Sequence, residues 1–153
     1  MYNKNSEKSA SEYTFPSEDD KYDLVFAKSV FTNLTYEDTK SYIGQAGRVM
    51  KNKGGYMWAK FFLLSEKKGD FENRNRPERL RFNNEFKEGG VSYYSTFKKT
   101  PERIVGYREE DILKLVKENG MKVVKKIMGN WREVERTRMY NHHLQDTLVV
   151  ECR

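Results

Sequence analysis

The chain has 153 residues, a formal net charge of +6, a single cysteine and 14% aromatic residues. That length suits one domain burying about 68–70% of its unfolded surface, so two stable domains are excluded, and a lone Cys152 excludes an internal disulfide scaffold. Nine phenylalanines, ten tyrosines and two tryptophans exclude wholesale disorder. Residues 1–11 are polar and carry no signal-peptide core, and the best apolar run, 57–64, contains Lys60 and is too short to span a membrane. The expectation is a reduced, cytoplasmic protein without membrane attachment.

Residues 1–20 are polar and acidic and read as a loose lead-in to a single domain over 21–153. Tyr22-Asp23-Leu24-Val25-Phe26-Ala27 is short and almost continuously apolar, the pattern of a strand covered on both faces in a parallel sheet. Thr35 then predicts a helix N-cap, with Glu37 and Asp38 in the first turn and Tyr42, Ile43, Ala46, Val49 and Met50 at helical spacing. Gly54-Gly55 ends that helix, and residues 56–64 read as a second strand, parallel to the first across a βαβ crossover.

Residues 65–107 differ in kind, being highly charged, interrupted by Pro77 and Pro101, and without a long helical stripe. Residues 79–86 and 91–97, separated by Lys87-Glu88-Gly89-Gly90, predict a β-hairpin, and a connection of this length is commonly a functional insert or lid. Residues 108–119 predict a helix with Ile112, Leu115, Val116 and Leu113 as its candidate buried stripe, closed by Asn119-Gly120. Residues 121–128 and 147–152 read as the last two main strands, joined by a charged connection that holds Trp131.

This order of elements, with its local text, resembles the second half of a class I S-adenosylmethionine-dependent methyltransferase. Phe15-Pro16 with Lys21-Tyr22-Asp23-Leu24-Val25-Phe26 is similar to that family's "FP…FDLV" entry into its fourth strand. Ser29-Val30-Phe31-Thr32-Asn33-Leu34 resembles "SVFTHL", and Arg48-Val49-Met50-Lys51-Asn52-Lys53-Gly54-Gly55 resembles "RVLKPGG". Phe61-Phe62-Leu63-Leu64, Gly129-Asn130-Trp131 and Gln145-Asp146-Thr147-Leu148-Val149-Val150 are similar to later signposts of a subgroup. The resemblance covers about residues 13–153, and six such motifs in order carry more weight than any one alone.

The resemblance implies an α/β fold, a partial Rossmann-like sheet of about four main strands in the order 4-5-7-6, the last strand antiparallel, with flanking helices and the 65–107 hairpin-like insert. It implies S-adenosylmethionine as cofactor, with Tyr13, Thr14 and Phe15 beside adenine and Ala27, Lys28, Ser29 and Phe31 toward the methionine and sulfonium end. Phe15 and Phe31 as core aromatics, and Lys28 as a solvated lysine, are the competing readings. Phe62, Tyr93, Tyr94, Phe97 and Trp131 are the candidate acceptor-binding residues, against a hairpin whose aromatics serve only packing. His142 and His143 are the candidate bases, against a plain exposed loop pair. Asn33 stands where the family often has histidine, and Asn52-Lys53 where it has Lys-Pro. No metal site is expected, because His142, His143 and Cys152 lack ligand spacing, and Cys152 reads as an inert thiol.

The family's acidic-Gly-x-Gly-x-Gly turn is missing: the glycines stand at 44, 47, 54, 55, 69, 89, 90, 106, 120 and 129. The expectation is therefore a truncated family member, inactive or incomplete without an N-terminal cofactor-binding half. It also predicts an unguarded edge at Tyr22 to Ala27 that recruits a second copy (a homo-oligomer) or a separate N-terminal-half chain, or else leaves a poorly stable monomer. A small-molecule or glycan acceptor fits the aromatic insert. The alternatives are a non-catalytic interaction module or fragment keeping the fold, or a basic polyanion-binding protein using Lys122, Lys125, Lys126, Arg132, Arg136 and Arg138. Nucleic acid is not the expected partner, because Glu133 and Glu135 interrupt the basic run.

Overall fold

A computed structural model of the chain describes residues 9–71, 77–132 and 144–153. Among these residues eight strands form two four-stranded sheets, and two α-helices pack between and beside them.

The main sheet holds β1 (Leu24–Ala27), β2 (Tyr56–Phe61), β7 (Met121–Ile127) and β8 (Asp146–Cys152) in the order β1-β2-β8-β7. β1 and β2 are parallel, with Leu24 opposite Tyr56 and Ala27 opposite Ala59. β8 runs antiparallel to both neighbours, and β7 carries a bulge between Val123 and Lys125. Between the two parallel strands the chain crosses over through α1 (Tyr36–Val49).

Alternation along the strands divides the sheet faces. Ala27, Met57, Ala59, Phe61, Leu148 and Val150 are buried in one core with Ile43, Ala46 and Met50 of the α1 segment and with Ile112, Leu115 and Val116 of α2 (Glu109–Glu118). On the other face Leu24 and Phe26 remain 59% and 60% exposed. The continuous apolar run therefore does not mark a strand covered on both faces here: one face is packed and the other is bare. Leu113 of α2 also turns outward instead of joining the buried stripe.

The second sheet, in the order β3-β6-β5-β4, corrects the reading of 65–107 as a hairpin alone. The hairpin exists as β4 (Asn84–Glu88) and β5 (Val91–Ser95), closed by Gly89-Gly90. Both glycines have positive φ, 54° and 80°, which a two-residue turn matched to strand twist requires. β5 pairs with β6 (Val105–Arg108), and β6 pairs in parallel with the two-residue β3 (Leu63–Leu64). β3 is the direct continuation of β2, so the chain leaves one sheet at Phe61 and enters the other at Leu63. A second cluster of Phe62, Leu64, Leu80, Phe82, Tyr94 and Trp131 packs against this sheet.

Two long-range contacts hold the helix that precedes β2. Residues 9–20 are pinned, not loose: Arg48 of α1 donates to the carbonyls of Phe15 and Ser17 at 2.9 and 2.8 Å and pairs with Asp19. At the other end Thr35 donates to the Asp38 carboxylate and makes no capping bond to the backbone. Glu88, from the distant hairpin, accepts the Glu37 backbone N–H at 3.0 Å and so performs the capping chemistry.

Candidate ligand-binding cleft

Open α/β sheets bind ligands beyond the carboxyl ends of their strands. At the ends of β1 and β2 lies an open cleft of about 280 Å³. Its polar wall comes from Ser29, Thr32, Asn33 and Gln145, and its apolar floor from Phe62, Leu80, Ile104 and Leu144. Arg79 and Arg103 complete the lining.

The wall is a row of oriented hydrogen bonds. Ser29 Oγ donates to Gln145 Oε1 at 3.2 Å, Gln145 Nε2 to Thr32 Oγ1 at 3.3 Å, and Thr32 Oγ1 to Asn33 Oδ1 at 3.3 Å. Asn33 Nδ2 then donates to the backbone carbonyls of Glu102 and Arg103, at 3.2 and 2.7 Å. Asn33 thus ties the turn after β1 to the segment before β6. Two donor hydrogens on one nitrogen suit that double bridge, and a histidine nitrogen has only one. Ser29 holds a left-handed φ of 55°, unusual for a residue with a Cβ and a feature that concentrates at ligand sites.

Of the residues implied for the cofactor, Ser29 lies on this cleft. Ala27 is 7% and Phe31 2% exposed; Phe31 stacks on Phe61 with centroids 4.8 Å apart, so it is a core aromatic. Phe15 packs edge-on against Tyr42 at 5.1 Å, its N–H held by Gln45. Tyr13, Thr14 and Lys28 are exposed. Of the residues implied for the acceptor, Phe62 contributes to the cleft floor. Tyr93 stacks on Phe86, and burial together with the nearby Glu88 pushes its hydroxyl up to about 12. The Tyr94 hydroxyl is engaged by Arg108, and Phe97 lies under the Arg103 guanidinium. His142 and His143 lie outside the described residues.

Trp131 is fully buried and serves a network that sequence reasoning missed. Its Nε1 donates to Asp146 Oδ2 at 2.9 Å. Asp146 also accepts from the Leu63 and Gly129 backbone N–H groups and from Arg132. Arg132 reaches Asp70 as well, and donates to the Leu63 carbonyl. Asp70 in turn accepts the Ser65 N–H at 2.9 Å. This network clamps the point where the chain changes sheets, next to the cleft floor. The motif Gln145-Asp146 was the available signal: Gln145 faces the cleft and Asp146 the clamp.

The basic run is largely spent on such contacts. Lys122 pairs with Glu151 at 2.7 Å, Lys126 with Glu109, and Arg132 with Asp70 and Asp146; Arg136 and Arg138 lie outside the described residues. Among the described residues no cluster of three His, Cys, Asp or Glu side chains is arranged to hold a metal ion, and no helix is long and apolar enough to cross a membrane. Burial raises the Cys152 thiol above its ordinary pKa, leaving it mostly protonated at neutral pH.

These residues do not by themselves fit S-adenosylmethionine. None of the ten glycines builds an acidic-Gly-x-Gly-x-Gly cradle after any strand: Gly54, Gly69, Gly89, Gly90 and Gly120 supply left-handed turns, while Gly106 and Gly129 admit close packing by Phe82 and by the 144–145 backbone. The only carboxylate of the β1 run, Asp23, sits at its amino end and is held below its ordinary pKa by Lys51.

No family model matches the chain. Solved structures do. It is similar to the mitomycin 7-O-methyltransferase MmcR, with a TM-score of 0.55 at 10% identity, over 95% of this chain and 33% of that one. It is similar to an S-adenosylmethionine-dependent methyltransferase from Methanosarcina mazei (TM-score 0.53, 15% identity, 94% of this chain and 64% of that one). A third, from Clostridium acetobutylicum ATCC 824, gives 0.50 at 16% identity, over 94% and 62%. The chain thus spans between a third and just under two thirds of these proteins. Its fold is the α/β, Rossmann-like fold of S-adenosylmethionine-dependent methyltransferases.

Proposed function

We propose that this chain is the acceptor-side portion of an S-adenosylmethionine-dependent methyltransferase, with the cofactor anchored chiefly by residues outside it. The observation that carries this reading is the cleft beyond the carboxyl ends of β1 and β2, lined by Ser29, Asn33 and Gln145 of motifs that resemble that family's. Methyl transfer from a sulfonium needs alignment more than covalent chemistry, and a cleft with an apolar floor and a hydrogen-bonded wall supplies alignment. The missing glycine turn supports a division of labour: this portion orients the acceptor, a small molecule or glycan, while a glycine-turn half, on another chain or in sequence outside these residues, holds the cofactor. The edge of β1, unpaired among the described residues, is where that half docks.

Titration with S-adenosylhomocysteine tests this, using the chain alone and the chain co-expressed with a polypeptide carrying a glycine-turn half. Binding only in the second case is expected. Micromolar binding by the chain alone overturns the division of labour.

A second reading, a non-catalytic interaction module, is favoured by one observation, the bare face of Leu24 and Phe26 beside the open β1 edge. Absence of binding in both titrations would support it.

A further inference from the structure

We infer that the cleft takes a small ring-bearing oxyanion, a carboxylate or a phosphate monoester, as its ligand. Naming it the methyl acceptor rests on the reading above; the binding itself does not. The charge of the lining points to an anion, for among the described residues Arg79 and Arg103 are its only ionisable groups. Glu78 and Glu102 neighbour the two arginines in sequence, yet neither forms part of the wall.

Neither guanidinium is neutralised within the described residues. Arg103 lies over the Phe97 ring at 4.5 Å, a contact that steadies the cation without cancelling its charge, and Arg79 is exposed. Arginine presents paired N–H donors that match the oxygens of carboxylate and phosphate, so two of them at one cleft select for oxyanions over neutral groups. Asn33 holds the Arg103 carbonyl at 2.7 Å, fixing the backbone from which that guanidinium extends.

The other walls set the body of the ligand. Phe62 and Leu80 are 3% and 1% exposed and give a rigid floor, with Ile104 and Leu144 beside them. A volume of about 280 Å³ falls at the small end of ligand pockets, which admits a single ring with short substituents and excludes a nucleotide or an oligosaccharide chain lying wholly within it.

The test is an NMR titration of the full chain with phenylacetate, phenyl phosphate, benzyl alcohol and benzylamine, following the Ser29, Asn33 and Ile104 amides. Both anions, or one of them, should bind about tenfold or more tightly than the alcohol, and their ranking separates carboxylate from phosphate. In Arg79→Gln/Arg103→Gln the anion should fall to the level of the alcohol. In Arg79→Lys/Arg103→Lys, which keeps the charge, binding should be partly retained. Anions binding no better than the alcohol or the amine would overturn the inference. So would undiminished anion binding by the Gln pair, or no binding by any probe. Arg79→Gln alone, at an exposed side chain, guards against a misfolded double variant and should give an intermediate loss. Anion binding by a chain that never binds S-adenosylhomocysteine, with or without the glycine-turn half, would leave this site standing and remove only its role as an acceptor site.

Discussion

The indole N–H of Trp131 donates to the buried carboxylate of Asp146 at 2.9 Å, and the guanidinium of Arg132 lies over the same indole at 4.3 Å. Asp146 accepts from four groups at once, the Trp131 indole, the Arg132 guanidinium and the Leu63 and Gly129 backbone N–H groups. Replacing it by alanine strands the buried Trp131, Leu63 and Gly129 N–H groups and leaves the half-buried Arg132 with Asp70 as its remaining carboxylate, so Asp146→Ala should cost about 3–5 kcal/mol in urea unfolding. Trp131→Phe, which removes one donor to a charged group, should cost less, though loss of ring volume adds to it. A cost under about 1 kcal/mol for Asp146→Ala would contradict the clamp.

Phe26 stacks on Trp58 with centroids 4.5 Å apart on the open sheet face, yet remains 60% exposed. A homo-oligomer built on this face is the alternative to docking of a glycine-turn half, and in that case Leu24→Lys/Phe26→Lys should abolish the association, read by light scattering over a concentration series, with little loss of stability per site beyond the stacking contact. Unchanged association would place the contact surface elsewhere.

Gly90 has a φ of 80° and open space where a Cβ would go, so a substitution there reports backbone strain alone. Gly90→Ala should cost about 1–2 kcal/mol, and Gly90→Asn distinctly less, because asparagine tolerates the left-handed region. Equal costs, measured by thermal unfolding, would contradict the turn geometry.

Tyr93, pushed up to about 12 by burial and then by Glu88, holds its proton more tightly folded than unfolded. The folded state therefore carries more bound protons above the ordinary tyrosine range near 10, and stability falls as pH rises from about 10 toward 12. Buried Tyr107 is shifted in the same direction. Tyr93→Phe should move alkaline unfolding to higher pH, monitored by circular dichroism alongside phenolate absorbance. An unmoved midpoint would assign the alkaline limit to other groups.

Periodicity made the main sheet readable, because β1, β2, α1, α2, β7 and β8 each carry enough residues for an apolar pattern to declare itself. The glycine pair announced the hairpin. The second sheet was hidden because β3 has two residues and continues β2 without any break in hydrophobicity, and because β6 runs straight into α2 at Arg108 with no turn residue between them. Ser29 and Phe62 of the cleft were within reach through their place after strands. Arg79 and Arg103 were not, since only tertiary folding brings them to the end of β1. Nor was the pairing of Arg132 with Asp70, 62 positions away.

The row from Ser29 to Asn33 has a sense as well as a geometry. Asn33 must turn its nitrogen to two carbonyls, so its oxygen can only accept; Thr32 must then give its hydrogen away, Gln145 must give one to Thr32, and Ser29 must give its own to Gln145. The serine oxygen is left with lone pairs alone to offer a ligand. Whatever atom settles against Ser29 has to arrive with its own hydrogen, so the cleft favours an O–H or N–H group there and discriminates against an ether or ester oxygen, the form a hydroxyl takes once it has been methylated.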